Sequence, residues 1–325
     1  MSQSASAQAK DLLVVNDLKK YFPTPAGLLR AVDGVSFAIP KGRTMGVVGE
    51  SGCGKSTLGR AILQLHRPTG GEVLFDGQNV ADMSKAQFKR IRPRMQMIFQ
   101  DPYSSIDPKK TVSEIIAEPL KIQKIYKSRK DLDARVIELM EMVGLDLIYM
   151  NTYPHELDGG RRQRIGIARA LALKPEFIVC DEPVSALDVS IQAQILNMMM
   201  DFQDELHLTY MFITHDLSVV KHISDEIMVL YLGTVVERAP SDELFEHPTH
   251  PYTKALLDAI PVPELSYHGV EPQLLKGEVT SPINPPQGCR FAKRCPYVTK
   301  ACTENMQELR EISPNHFVAC CQFGK

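Results

Sequence analysis

The 325-residue chain carries almost no net charge, no long apolar run and no leader-like start. Its formal charge of −2 gives no electrostatic reason to expect nucleic acid or an acidic membrane surface as a partner. The best apolar stretch, Ile227 to Val236, falls far short of the roughly 20 residues a membrane-spanning helix needs. The opening MSQSASAQAK has no apolar core and is not a signal peptide. These absences lead us to expect a soluble, cytoplasmic chain that can still dock on a membrane protein. The length exceeds what one compact domain needs, so one large domain with a smaller appendage is expected.

What is present begins with strands alternating with helices. Leu12 to Val15, Val32 to Ile39, Thr44 to Val48, Glu72 to Phe75 and Met95 to Phe99 read as strands. So do Phe177 to Cys180, Tyr210 to Ile213 and Ile227 to Val236. Lys55 to Leu65, the charged stretch Thr111 to Val143, Gly160 to Leu173, Ile191 to Leu206 and Tyr252 to Ala259 read as helical. The alternation predicts an α/β domain with a largely parallel sheet. Pro261, Pro263, Pro282, Pro285 and Pro286 then give a linker-like composition ahead of a cysteine-bearing tail.

Gly49-Glu-Ser51-Gly52-Cys53-Gly54-Lys55-Ser56-Thr57 follows an apolar strand and precedes a helix, the context a phosphate loop requires. Its glycines let successive N–H groups converge, and the helix start adds partial positive charge. Lys55 would reach the β- and γ-phosphates of ATP, and Ser56 would offer a hydroxyl to Mg²⁺. Asp181 and Glu182 end the strand at Cys180. Asp181 there can bind Mg²⁺ through water, and Glu182 can deprotonate an attacking water. A general base of this kind contributes about 10²- to 10⁴-fold in rate. Adjacent acids after a strand are otherwise often solvated caps. His215 ends the next strand and would bond the γ-phosphate. Gln100 closes the Met95 strand and would touch Mg²⁺ or the water.

The order of these motifs, with Leu157-Asp158-Gly159-Gly160-Arg161 and Ser185-Ala-Leu-Asp188 between them, resembles an ABC-transporter ATPase subunit from about Leu12 to Ala259. The resemblance implies a P-loop ABC ATPase fold: a mainly parallel core, an antiparallel β subdomain and a helical subdomain. It divides the chain into a flexible tail 1–10, a nucleotide-binding domain 11–262 and a small cysteine-rich extension 263–325. It also implies that Tyr21, rather than the neighbouring Phe22, stacks on adenine. Residues 157–161 would form the signature loop facing the ATP of a partner, and Asp188 would communicate between the two sites. Gln100-Asp-Pro-Tyr-Ser-Ser, His250-Pro-Tyr-Thr-Lys-Ala-Leu257 and Ser281-Pro-Ile-Asn-Pro-Pro286 narrow the resemblance to oligopeptide and dipeptide importers, OppF/DppF type. The implied partners are a paralogous ATPase, two membrane-spanning permease subunits and, indirectly, a solute-binding protein, with the chain on the cytoplasmic face of the membrane. Nickel or another small solute, and a regulatory module without transport, are the alternatives. A translation or repair ATPase would usually carry two cassettes or long coiled-coil insertions, which this chain lacks.

Cys289, Cys295, Cys302 and Cys320 supply four thiolates, the number a [4Fe–4S] cluster or a structural zinc needs, and Cys321 is a substitute for the fourth. Free thiols in a small cap are the plain reading. Because similar tails in the peptide-importer family carry an iron–sulfur cluster, the resemblance favours the cluster over Zn²⁺.

One residue departs from the family pattern. The signature usually reads Leu-Ser-Gly-Gly-Gln, and here Asp158 stands for the serine and Arg161 for the glutamine. An ionised Asp158 cannot donate to a γ-phosphate. Two like charges about 5 Å apart at an effective dielectric near 20 repel by roughly 3 kcal/mol. Arg161 can restore the local charge, and Asp is also a good helix cap. The expectation is a slowed ATP site completed by Asp158, hence a heterodimer.

Overall fold

A computed structural model of the chain describes residues 10–260 and 281–322. Strands β1 (Asp11–Thr24) and β2 (Gly27–Pro40) form a long antiparallel hairpin, and β3 (Thr44–Val48) runs into the glycine loop. Strands β4 (Gly70–Phe75) and β5 (Gln78–Asn79) complete a four-stranded sheet in the order β2-β1-β4-β5. The second sheet has β3 together with β6 (Met95–Ile98), β7 (Phe177–Asp181), β8 (Thr209–Ile213), β9 (Glu226–Tyr231), β10 (Thr234–Pro240), β11 (Arg310–Ser313) and β12 (His316–Val318). Its order is β11-β12-β10-β9-β3-β8-β7-β6.

Within the larger sheet, β9, β3, β8, β7 and β6 pair in parallel. All residues of β3, β7 and β8 are buried, as expected for strands covered on both faces. Parallel strands point their carboxyl ends to one edge, where ligands bind in open α/β sheets. The helix Lys55–Ile62 covers one face, with Leu58, Ala61 and Ile62 in a core shared with Val179 and Ile213. Three helices, Val112–Ile122, Arg129–Met142 and Gly159–Leu171, pack together through buried residues such as Ile115, Leu139 and Ile165. Thr111 starts the first of them with a capping box to Glu114. The charged stretch expected to be helical from Thr111 to Val143 thus breaks between two helices.

The apolar run from Ile227 to Val236 is not one strand. Leu232 and Gly233 adopt left-handed φ values of 44° and 82° and turn it into the β9–β10 hairpin. Beyond the cassette, β12 pairs with β10 and β11 with β12, so the described part of the extension adds two strands to the main sheet. Pro282 C=O accepts from Arg30 N–H at 3.2 Å, and Ile283 bridges Leu29, tying the extension to the first hairpin as well. Most of the tail 1–10, the boundary at 262/263, and Pro261 and Pro263 lie outside the described residues. No helix among the described residues is long and apolar enough to cross a membrane.

Candidate functional site

The glycine loop leaves β3 and enters the helix Lys55–Ile62 at Gly54, whose φ of 108° is a conformation that suits glycine. A side chain there would also run into the Ala31 carbonyl, and one at Gly49 into the Leu230 carbonyl. Gly54 offers no side-chain cap to the first N–H groups of the helix. Ser51 and Gly52 are exposed on the loop, while Cys53 and Lys55 are buried. Lys55 Nζ bonds the carbonyls of Gly49 at 2.7 Å and Glu50 at 3.1 Å, which holds the ammonium inside the loop. Thr57 lies in the first turn of the helix behind it.

The neighbouring strand ends converge on this loop. Ser56 Oγ donates to Asp181 Oδ1 at 2.6 Å, joining the loop to the end of β7. Asp181 is fully buried, and burial raises its carboxyl above the usual range against the lowering effects of Ser56 and Arg60. Arg60 Nη2 pairs with Asp181 Oδ2 at 3.3 Å. Sequence reasoning missed Arg60, although it lies four residues after Ser56 on the same helix face, the spacing at which side chains share a partner. Glu182, next in sequence, has a φ of 46° and its N–H bonds Ile213 C=O at 2.8 Å. That strained turn aims its carboxylate at the ends of β6 and β8. Gln100 Nε2 donates to Glu182 Oε2 at 2.9 Å, and His215 Nδ1 lies 3.4 Å from the same oxygen. The structure therefore gathers Lys55, Ser56, Gln100, Asp181, Glu182 and His215 into one cluster.

The Tyr21 hydroxyl donates to Asp33, and burial together with that bond pushes its ionisation up to about 12. Arg30 lies 5.6 Å from the Tyr21 ring centroid. Phe22 instead meets the His66 ring edge-on at 5.6 Å.

The segment 157–161 stands apart, in the helical layer. Leu157 is buried and Asp158 exposed. Asp158 caps the helix Gly159–Leu171, its Oδ1 accepting from Arg161 N–H at 2.8 Å. Its other oxygen pairs with the Arg161 guanidinium, so both oxygens are engaged by Arg161, one by its backbone N–H and one by its side chain, and Gly159 and Gly160 form the first turn behind them. Asp188 starts the helix Val189–Leu206 without a side-chain cap bond.

The expected metal centre of the tail is corrected. Cys289, Cys295, Cys302, Cys320 and Cys321 do line one cavity, with His250 and Phe291. Its volume is about 10 Å³, the room of a single water, and no group of three or more His, Cys, Asp or Glu among the described residues is placed to hold a metal ion. Burial pushes the Cys289 thiol up to about 11 and raises Cys295 and Cys320, which disfavours the thiolates that a cluster or zinc requires. Cys302 Sγ instead lies 2.9 Å from Cys321 Sγ, with Thr299 beside both. Neither the [4Fe–4S] cluster nor Zn²⁺ has support.

A phosphate loop, strand-end acids and a Gly-Gly helix start on a parallel sheet define an ATP-hydrolysing cassette. Residues 32–185 match the ABC transporter family, and residues 236–302 match the oligopeptide/dipeptide transporter C-terminal region. The oligopeptide transport ATP-binding protein AppF of Bacillus subtilis (strain 168) is 49% identical over 324 residues, 97% of this chain and 98% of that protein. OppF of the same organism is 52% identical over 312 residues, 96% of each chain. The ATP-binding cassette MJ0796, solved as a dimer in a post-hydrolysis state with ADP and Pi, superimposes with a TM-score of 0.65. It shares 29% identity over 70% of this chain and 98% of its own. The chain belongs to the ABC transporter ATPases, in the branch that carries the oligopeptide/dipeptide transporter C-terminal region.

Proposed function

We propose that the chain hydrolyses MgATP as one of two unlike ATPase subunits driving a peptide importer. The observation that carries this reading is the convergence of Gln100 and His215 on the Glu182 carboxylate beside the Ser56–Asp181 pair. Lys55 leaves its loop carbonyls for the β- and γ-phosphates. Ser56 and Gln100 would offer oxygen donors to the Mg²⁺ that arrives with ATP, and Asp181 would bind it through water; the ion is usually held by one or two carboxylates, phosphate oxygens and water. Glu182 takes the proton of the attacking water, Gln100 orients that water, and His215 bonds the γ-phosphate. The Tyr21 ring stacks on adenine.

The partner reading rests on the signature segment. Each ATP lies between one subunit's phosphate loop and the other's signature loop, and Asp188 links the two sites. Asp158 faces the partner's ATP with a carboxylate already engaged by Arg161. That site binds ATP and turns it over slowly, which calls for a paralogous partner with a normal signature. Two permease subunits dock near Gln100 on the cytoplasmic face, and a solute-binding protein supplies them. Peptide as the solute rests on relatives whose names describe oligopeptide transport.

The test uses the assembled transporter. Glu182→Gln should lower ATPase turnover by about 10²- to 10⁴-fold while MgATP binding persists. Labelled oligopeptide uptake should stop in parallel, and continued uptake at the wild-type rate would refute the assignment.

A further inference from the structure

The C-terminal extension reaches into the nucleotide pocket at two points. Arg294 grips both oxygens of the Glu50 carboxylate, Nη1 to Oε2 at 2.7 Å and Nη2 to Oε1 at 3.0 Å. This two-point arginine–carboxylate fork fixes orientation as well as distance. Glu50 belongs to the phosphate loop, and its backbone is held too. Its N–H donates to the Tyr252 hydroxyl at 2.8 Å, and its carbonyl accepts from Lys55 Nζ at 3.1 Å. The second point is Arg290, whose guanidinium bonds the Asp33 carboxylate that also accepts from the Tyr21 hydroxyl. Another nitrogen of Arg290 bonds Leu232 C=O, and Gly233 N–H in that turn donates to Cys53 C=O at 2.7 Å.

Both arginines are anchored by the residue between them. Phe291 is buried against Tyr231, Tyr252 and His250, with ring centroids 5.3, 5.4 and 5.7 Å away. The side chain of Arg294 is 6% exposed and that of Glu50 26%, so the fork is shielded from water. A loop built on glycines at φ 148°, 77° and 108° has little conformational preference of its own. Whatever holds it in shape before ATP arrives removes an ordering cost from binding.

We infer that Arg290 and Arg294 are positioning residues that preset the nucleotide pocket, Arg294 through Glu50 on the phosphate side and Arg290 through Asp33 and Tyr21 on the adenine side. The inference rests on the nucleotide-site reading above and gives the extension a task in place of the metal centre.

The experiment measures binding of MgATP and of magnesium tripolyphosphate, which lacks adenine, to the purified full-length chain. Arg294→Gln and Glu50→Gln should each raise the Kd of both ligands about 10-fold, and the double variant should be no weaker than either single, since one contact is lost in all three. Arg294→Lys should recover only part of the loss, because an ammonium cannot make the fork. Arg290→Gln should weaken MgATP more than tripolyphosphate, because its bond to Asp33 lies on the adenine side. In the assembled transporter Arg294→Gln should raise KM for ATP with kcat held within about twofold, as expected when only binding is affected. If Arg294→Gln lowers the melting temperature of the ligand-free chain, Glu50→Gln carries the comparison, because it leaves the extension intact. Kd values within twofold of wild type, additive losses in the double variant, or equal weakening of both ligands by Arg290→Gln would each overturn the inference. Lys55→Ala separates it from its premise: retained MgATP binding would sink the nucleotide-site reading, whereas lost binding beside unaffected arginine variants would sink the positioning role alone.

Discussion

Two helices of this chain start at glycines, and they treat their first turns in opposite ways. The helix Lys55–Ile62 begins at Gly54 with no side-chain cap for its leading N–H groups. The helix Gly159–Leu171 has Gly159 and Gly160 in its first turn but begins at Asp158, whose carboxylate already accepts from Arg161 N–H. A helix N-terminus attracts an anion because its donors are unpaired and its dipole is positive. At Gly54 that anion must come from outside. At Asp158 the chain supplies its own. A family-typical motif can therefore stay in place while one substitution changes what its helix end has left to offer.

The comparison can be broken or sharpened by measurement. The largest effect belongs to the open half: Lys55→Ala should abolish nucleotide-dependent turnover of the transporter, and loss well below 100-fold would mean that the phosphates are held elsewhere. Next is Asp158→Ser in the assembled transporter. It keeps a capping side chain and removes the negative charge, so ATPase activity should rise several-fold; an unchanged or lower rate would show that the Asp158–Arg161 pair does not slow the partner's site. Smaller still is Asp158→Ala, which removes the cap outright. It should cost about 1 kcal/mol of folding stability in denaturant titrations, where Asp158→Ser costs little.

The last prediction concerns acid. His250 is buried with its ionisation pushed down to about 4, and its Nδ1 accepts from Tyr252 N–H at 3.1 Å, which suits the neutral ring. An unfolded histidine titrates near 6.5, so the unfolded chain takes the extra proton first. The stability from neutral His250 is complete above about pH 6.5 and falls as pH drops towards 4, by on the order of 2 kcal/mol at pH 5. His250→Gln should flatten the melting-temperature difference between pH 7 and pH 5. A difference as steep as in the wild type would mean that other groups set it. Because Tyr252 braces Glu50, this acid sensitivity should fall on the phosphate-loop side and spare the signature helix.

Local chemistry made much of the site readable. β3 runs from Thr44 to Val48 as expected, a short, mainly apolar and wholly buried run ahead of the glycine loop. Asp181, Glu182, Gln100 and His215 were recognisable as strand ends. Other features were not. The continuous apolarity from Ile227 to Val236 hid the turn at Leu232 and Gly233, since burial on both faces erases the alternation that marks a hairpin. β11 and β12 have four and three residues, too few for a periodic signal. The cysteines misled for a different reason. Spacing counts ligands but carries no information about the volume they enclose, and here that volume is about 10 Å³.

The sequence alone determined the glycine loop, the acids at the end of β7 and the departure at Asp158, because each depends on neighbours within a few residues. Only the tertiary structure decided that Ser56 meets Asp181 across 125 positions and that Arg294 meets Glu50 across 244. Such contacts follow from the strand order and from where the extension docks. Both are settled by the packing of buried faces, and the residues that make the contact do not themselves encode it.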